Sequence, residues 1–230
     1  MAKNTSPSLQ SFFKTFYKNV PDEDRAHMAP ESAKNTAEDH LTLSQNRKYG
    51  ASPNISAYTP TIKKNGWDAS CTVINIVNDD MAFLVDSIVA EIIRRRYHIN
   101  VFLHPILHVE TDAKGSVKSY SDTRGEKTKP QSHIHIEISR AISQEQIKEL
   151  IATLSQILKD VLLANQDWKN MREKVLPTKD FLKTAPSKID NDLIDEYESF
   201  LDYLYDNNFT FLGYREYKFI ENKAGEIKSQ

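Results

Sequence analysis

The chain has 230 residues with 30 Lys or Arg against 32 Asp or Glu, and this formal net charge of −2 argues against a partner that presents nucleic-acid phosphates. A single cysteine excludes an internal disulfide and a cysteine-based zinc cluster. The six glycines never lie within three residues of one another, which excludes the glycine-rich loops that bind dinucleotides or nucleoside triphosphates.

An amphipathic helix is predicted over residues 9–20, where apolar residues recur at helical spacing until a proline follows. Its apolar face is rich in phenylalanine and must be covered, either by the chain's own domain or by a second chain. We therefore predict an interface at Leu9, Phe12, Phe13, Phe16 and Tyr17. No stretch approaches the ~18 apolar residues of a membrane span and no signal peptide is visible, so we expect a cytoplasmic protein without a membrane partner.

The strongest pattern is an alternation of strands and helices that starts at Cys71. A β-branched strand (71–77) precedes a helix (81–97), a strand interrupted by Pro105 (99–109), a loop with one strand candidate (117–120), a strictly alternating strand (133–138) and a long helix up to residue 162. Ser143 and Gln146 form a capping box for the long helix. This order predicts an α+β fold with a split βαβ unit, an antiparallel sheet with helices on one face. We expect one core to contain Leu84, Ile88, Ile92, Ile136, Leu154 and Leu158.

Segments outside this unit complete the predicted division of the chain. A weak helical pattern covers residues 31–47, and the short run at residues 55–58 is our candidate for the fourth strand that a split βαβ unit requires. Pro177 and Pro186 bracket a linker, after which a helix (193–204) and a strand (209–219) indicate the truncated start of a second module. We predict a helical segment at 1–53, a domain at 54–176, a linker at 177–187 and the second module at 188–230.

Three polar side chains share one face of the alternating strand. His133, His135 and Glu137 could supply two imidazoles and a carboxylate to a metal ion. Because no distant ligand has a recognisable spacing, we interpret these residues as the solvent face of a half-covered sheet and predict no metal site.

An acidic cluster marks the predicted start of the helix over residues 81–97. Asp79, Asp80 and Asp86 could serve acid–base chemistry or bind a hard cation, but helix capping explains them as well and is the interpretation that we favour. The three arginines at 94–96 could bind an anion or form a solvated helix end, and Cys71 is interpreted as a small buried hydrophobe. No nucleophile motif is present, and we predict no catalytic residue.

Longer strings of this sequence resemble the N-terminal region of the very large bacterial NAD-specific glutamate dehydrogenases. They are VNDDMAFLVDS at residues 77–87, Gly66-Trp67, LHPIL at 103–107, HIEI at 135–138, Trp168 with Met171-Arg172, and FTFLGYREY at 209–217, in this order. One departure is Ala82, which stands where the family would lead us to expect proline.

The resemblance implies ACT-like modules, regulatory βαββαβ units that in other proteins often bind amino acids. It also implies that the catalytic region, which binds NAD and interconverts L-glutamate and 2-oxoglutarate with ammonia, lies downstream. The expected role of this segment is therefore non-catalytic, with no cofactor of its own. Its expected partners are the downstream catalytic region and other subunits of the enzyme, together with a possible amino-acid effector.

Two hypotheses follow for the segment, namely assembly of the enzyme and sensing of an amino acid as a stand-alone ACT-like module. A ligand would be expected at the turn formed by Asn78, Asp79, Asp80 and Met81. In amino-acid-binding ACT modules this turn commonly ends in Asp-x-Pro-Gly, and an alignment on Asp80 puts Phe83 at the glycine. A phenylalanine can fill the space that a ligand needs, and two carboxylates would repel the ligand's own, so the packing hypothesis is favoured.

Overall fold

A computed structural model describes residues 8–230 of the chain except 27, 29, 185–189, 218, 222–226 and 230. These residues form two compact units, the first ending at Val161 and the second beginning at Leu162. Within the described ranges, no helix combines the length and apolarity that crossing a membrane requires.

The first unit is built on an antiparallel sheet. Its strands are β1 (Asn54–Tyr58), β2 (Thr72–Asp79), β3 (Ile99–Leu103), β4 (Ile106–Thr111), β5 (Val117–Ser121) and β6 (Lys129–Ile138). Their order is β1-β2-β6-β4-β5, with β3 also paired to β6. β1 pairs with β2 as the fourth strand of the split βαβ unit, so the prediction for residues 55–58 is confirmed.

The predicted interruption at Pro105 separates β3 from β4 without shifting their register on β6. Leu103 lies opposite His135, and Ile106 lies opposite Ser132. Proline has no N–H for the ladder, but the Pro105 carbonyl still accepts a hydrogen bond of 3.1 Å from the N–H of His133.

Two helices cover one face of the sheet, α5 (Leu84–Arg94) and α6 (Gln144–Glu173). Their apolar sides form a buried core with Ile74 and Ile76 of β2 and with the apolar residues of β6. All six residues that we expected in one core belong to it, so this prediction is confirmed. Ser143 and Gln146 exchange hydrogen bonds of 3.0 and 3.2 Å at the start of α6, which confirms the capping box.

The opposite face is covered by the N-terminal part of the chain. The helices here are α1 (Leu9–Tyr17), the short α2 (Asp22–Ala26) and α3 (Pro30–Gln45), and a further short helix, α4 (Ile62–Asn65), follows β1. Phe12 and Phe16 of α1 pack with Leu103 and Leu107 in a second apolar cluster. The interpretation of a half-covered sheet with a solvent face is therefore wrong, because α1 and α3 bury that face.

The start of α5 also differs from the prediction. β2 continues through Asn78 and Asp79, so the helix begins at Leu84 and not at Met81. Its N-cap residue is Phe83, which makes no side-chain cap, so the predicted capping by Asp79 and Asp80 is wrong, whereas Asp86 does lie in the first turn of the helix.

The second unit contains the end of α6 together with α7 (Val175–Lys183) and α8 (Asn191–Tyr203). α8 continues into a kinked turn, Leu204–Asn208, in which Asn207 has a φ of 63°. A short hairpin pairs Phe219–Glu221 with Ile227–Ser229. Pro177 lies in the first turn of α7, where a missing N–H costs little. Residues 209–217 are not a strand, in contrast to the prediction, since the described part of the chain offers them no strand to pair with.

Candidate functional site

The predicted ligand turn is held to the N-terminal layer by one arginine. Arg47, just after α3, contacts Asp79 Oδ1 through Nη1 at 2.5 Å and donates from Nη2 to Asn78 Oδ1 at 3.3 Å. Its Nε and Nη2 also donate to the carbonyls of Ser52 and Ala51. The arginine side chain is only 1% exposed, so this is a buried ion pair in which hydrogen bonds satisfy all three guanidinium nitrogens.

The second carboxylate oxygen of Asp79 is also occupied. The N–H of Gly50 donates to Oδ2 at 2.7 Å, from a loop in which Gly50 adopts φ 83°. Asp79 is therefore a structural anchor that joins β2 to the loop after α3.

Asp80 and Met81 have different surroundings in the same turn. Asp80 is half-buried, and burial raises the pKa of its carboxyl against the opposing charges of His104 and His108. Its N–H donates to the carbonyl of Pro130 at 3.2 Å. Met81 packs against the core beneath α5. The turn thus brings the four predicted ligand residues together, but it uses Asn78, Asp79 and Met81 for packing.

Phe83 stands where the alignment on Asp80 puts glycine, and its backbone keeps a glycine-like conformation. Its φ is 69° and its ψ is 2°, in the left-handed region that bulky residues rarely adopt. The residue is 40% exposed. Phe83 therefore has a backbone conformation that glycine adopts readily, but it carries a phenyl ring.

A second group of polar side chains lies buried between β6 and α3. His133 Nε2 is 3.0 Å from Gln131 Oε1, and His133 Nδ1 is 3.4 Å from Nδ1 of His40. His135 contacts Asn75 Oδ1 at 2.7 Å. We call this group, with Asp39, Ser44 and Glu137, the buried polar layer.

Helix α3 supplies a partner to most members of this layer. Ser44 donates to Gln131 Oε1 at 2.5 Å and accepts from the hydroxyl of Tyr120 at 2.9 Å. Asp39 Oδ2 accepts from Asn75 at 3.0 Å. Ser32 donates to Glu137 Oε1 at 2.9 Å, so the layer is a hydrogen-bonded network that spans α3 and the sheet.

Burial controls the charge states in this layer. Burial lowers the pKa of His133 to about 3, with help from the charges of His104 and Arg47. Burial also lowers the pKa of His40 well below its usual value, and the neighbouring imidazoles add to this effect. Burial alone would raise the pKa of Glu137, but the hydrogen bonds from His135 and Ser32 and the charge of His135 lower it overall.

The imidazoles of this layer can donate and accept hydrogen bonds, but their arrangement does not suit a metal ion. Among the residues that the structure describes, no group of three or more His, Cys, Asp or Glu side chains is arranged to hold one.

The α3 residues of this layer were not predicted from the sequence. Ser32, Thr36, His40 and Ser44 are buried and follow one another at intervals of four residues, so they line one face of α3. A search for apolar periodicity overlooks such a face, but polar residues at a constant interval of four are a usable signal.

The predicted interface residues divide into two groups. Phe12, Phe16 and Tyr17 are buried, and Phe16 lies 4.9 Å from the ring of His40. Tyr17 donates to the carbonyl of Ala33 at 2.9 Å. Leu9 and Phe13 stay partly exposed beside this cluster. A role in contacts with another subunit remains a prediction.

Two arginines at the end of α5 have structural partners. Arg94 and Arg95 both bind the buried carboxylate of Glu91, and Arg95 also reaches Thr153 on α6. Cys71 is buried, and burial raises the pKa of its thiol to about 11.

Comparisons with known proteins identify relatives of the chain. The family model for the ACT1 domain of glutamate dehydrogenase matches residues 12–154. The NAD-specific glutamate dehydrogenase of Pseudomonas aeruginosa is 30% identical over 175 residues, and that of Halomonas elongata is 31% identical over 176 residues. Each match covers 75% of this chain, and the chain spans 11% of each relative's length.

Proposed function

The chain belongs to the family of glutamate dehydrogenase ACT1 domains, and on that premise we propose that it is a non-catalytic regulatory and assembly segment of an NAD-dependent glutamate dehydrogenase. The parent enzyme would be a cytoplasmic bacterial protein that converts L-glutamate and NAD to 2-oxoglutarate, ammonia and NADH. NAD would bind to a different part of that enzyme, and this segment would contact the catalytic region and other subunits.

The observation that carries this proposal is the engagement of Asp79 by Arg47 and Gly50 at 2.5 and 2.7 Å. Breaking a buried charge pair is costly, so the turn cannot release Asp79 for a ligand without loosening the loop after α3. Phe83 also places a bulky side chain at the N-cap of α5, the position that the alignment on Asp80 gives to glycine. Both features support a module that contributes by packing, without sensing an amino acid.

A titration of the chain with the common amino acids, followed by the amide signals of residues 78–83 in NMR spectra, tests the packing proposal. We expect no saturable shifts. Saturable shifts that disappear in Asp80→Ala, but persist in Asp86→Ala in the exposed first turn of α5, would contradict it.

The second candidate is a stand-alone amino-acid-sensing module, and the start of α5 favours it. The helix begins without a side-chain cap at a residue in the left-handed conformation, and such a helix end attracts a carboxylate. Asp80 would then face the ammonium group. The variant Phe83→Gly distinguishes the candidates. A sensing module should bind an amino acid with Phe83 in place, whereas binding that arises only in Phe83→Gly would show that the phenyl ring blocks the site and would support the packing proposal.

A further inference from the structure

Helix α8 presents an exposed apolar stripe. Leu193, Tyr197 and Phe200 follow the i, i+4, i+7 spacing of one helix face and are 38%, 44% and 57% exposed. We call these three residues the α8 stripe. A stripe with this spacing is the usual anchor when an amphipathic helix binds in an apolar groove.

The rest of α8 is strongly acidic. The helix contains Asp192, Asp195, Glu196, Glu198 and Asp202 and has no Lys or Arg in its sequence. Asp202 already accepts from Lys179 at 2.7 Å within the second unit. Glu196 borders the α8 stripe, since it lies one position before Tyr197 and three after Leu193. A surface that receives this helix should therefore be apolar at its centre and basic at its rim.

The first unit contains a groove with this chemistry, between α1 and α2. Its volume is about 600 Å³, and it is lined by Phe13 and Val20 together with Lys14, Lys18 and Arg25. Asp22 is the one carboxylate among the lining residues, and it pairs with Arg25 at 2.7 Å. Lys18 pairs with Asp122, just after β5. Two of the three cations are therefore compensated, and Lys14 is the lining cation that has no carboxylate partner among the described residues. We call it the α1–α2 groove.

We propose that the α8 stripe of one chain binds in the α1–α2 groove of a second copy of this chain. Phe13 and Val20 supply the apolar contact area, and Lys14 faces the acidic flank of α8. Direct pairing of two α8 helices would bring like charges together, which is unfavourable. The inference rests on the assembly half of the proposed function and names its partner and its surfaces.

Complementary charge reversals test this contact. Sedimentation velocity of the intact chain over a range of concentrations should reveal reversible self-association. Glu196→Lys alone and Lys14→Glu alone should each weaken association by about tenfold, and an equimolar mixture of the two variants should restore it. The mixture restores opposite charges at each contact between the copies. Phe200→Ala should weaken association in every combination.

Asp195→Lys is the matched control, because Asp195 is exposed on the opposite side of α8 and should leave association unchanged. Circular dichroism should be the same for all variants, since each altered side chain is exposed. A monomer at every concentration would overturn the proposed contact, and so would association that ignores Lys14→Glu or a mixture that fails to recover. These outcomes are independent of the amino-acid titration, which tests the packing proposal separately.

Discussion

Arg47 connects three parts of the first unit through a single side chain. It lies just after α3 and binds the end of β2. Its side chain is almost fully buried and has little contact with solvent. Its hydrogen bonds to Ser52 and Ala51 also fix the loop that leads into β1. A residue of this kind determines the shape of the turn after β2 although it is far from that turn in the sequence.

We predict that Arg47→Ala lowers the free energy of unfolding by about 3–5 kcal/mol, because it leaves the carboxylate of Asp79 buried without its partner. Arg47→Lys should recover only part of this loss, since an ammonium group cannot reproduce the forked contacts. Urea unfolding measures both. Arg25→Ala is the control, because its exposed pair with Asp22 should contribute less than about 1 kcal/mol. A decrease of less than about 1 kcal/mol in the free energy of unfolding of Arg47→Ala would show that the Arg47–Asp79 pair does not anchor this turn.

The lowered pKa values of His40 and His133 predict a pH dependence of stability. In each case the folded pKa lies below the unfolded value near 6.5, so the stabilisation is complete above that pH. It is lost as the pH falls from about 6.5 towards the folded pKa, about 3 for His133. Each imidazole can contribute a slope of up to about 1.4 kcal/mol per pH unit.

Urea unfolding between pH 7.5 and 5 checks this expectation. His133→Gln, which stays neutral, should flatten the pH dependence, whereas His98→Gln at an exposed position should not change it. Asp39 works in the opposite direction, because burial raises the pKa of its carboxyl despite the hydrogen bonds from Tyr58 and Asn75. If the free energy of unfolding of His133→Gln depended on pH as strongly as that of the unchanged chain, the lowered pKa of His133 would not contribute to the pH dependence, and the prediction would be wrong.

At the scale of elements, α1 acts as part of the domain that it covers. Phe12 contacts Tyr120 at 4.8 Å and His133 at 5.8 Å between ring centroids, so the helix packs directly on the sheet. Phe13 lies on the flank of the same helix and lines the α1–α2 groove.

We therefore predict that Phe16→Ala costs about 3–5 kcal/mol, as expected for a fully buried phenylalanine. Phe13→Ala should cost clearly less, because this side chain stays partly exposed. Thermal or urea unfolding of the two variants provides the comparison. Equal losses would mean that α1 packs differently from the arrangement described here.

The elements also show how far the sequence could predict the fold. α5, α6 and β6 were predictable because Ile88, Leu154 and Ile136 repeat with the period of a helix or a strand. α3 gave a weak pattern, because its buried face carries Ser32 and His40 where a core helix usually carries leucine. For the same reason His133 was assigned to solvent, since a buried histidine and an exposed one look alike in the sequence.

The candidate site was predicted less completely than the core. The predicted turn begins later than expected, because Asn78 and Asp79 still belong to β2. The arginine partner of Asp79 lies 32 residues earlier in the sequence, and no local pattern indicates that contact. The conformation of Phe83 was also unexpected, because φ above zero is unusual for a bulky side chain. Contacts between distant segments and strained backbones both depend on the tertiary structure.

At the scale of the whole molecule, the family match at residues 12–154 lies within the first unit, and the second unit begins at Leu162. The chain spans only 11% of the length of the two glutamate dehydrogenases that it matches. It contains no cluster of glycines that could approach a dinucleotide phosphate.

We predict that the chain alone neither oxidises glutamate nor binds NADH. A spectrophotometric assay with glutamate and NAD should give the rate of a buffer blank, and calorimetric titration of NADH should release no binding heat. The complete NAD-specific glutamate dehydrogenase of Pseudomonas aeruginosa serves as the positive control. Turnover above the blank, or binding in the micromolar range, would refute a non-catalytic segment.

The position of β1 ahead of the split βαβ unit in the sequence affects how the first unit can fold during synthesis. In a βαββαβ unit the strand beside β2 follows the second helix, whereas here that strand is β1 and precedes the unit. Every strand of this sheet has therefore left the ribosome once Ile138 has emerged. The sheet can then form before α6 packs against it. We expect the first unit to fold during translation before the second unit is made, so that its aggregation-prone strands spend little time unpaired.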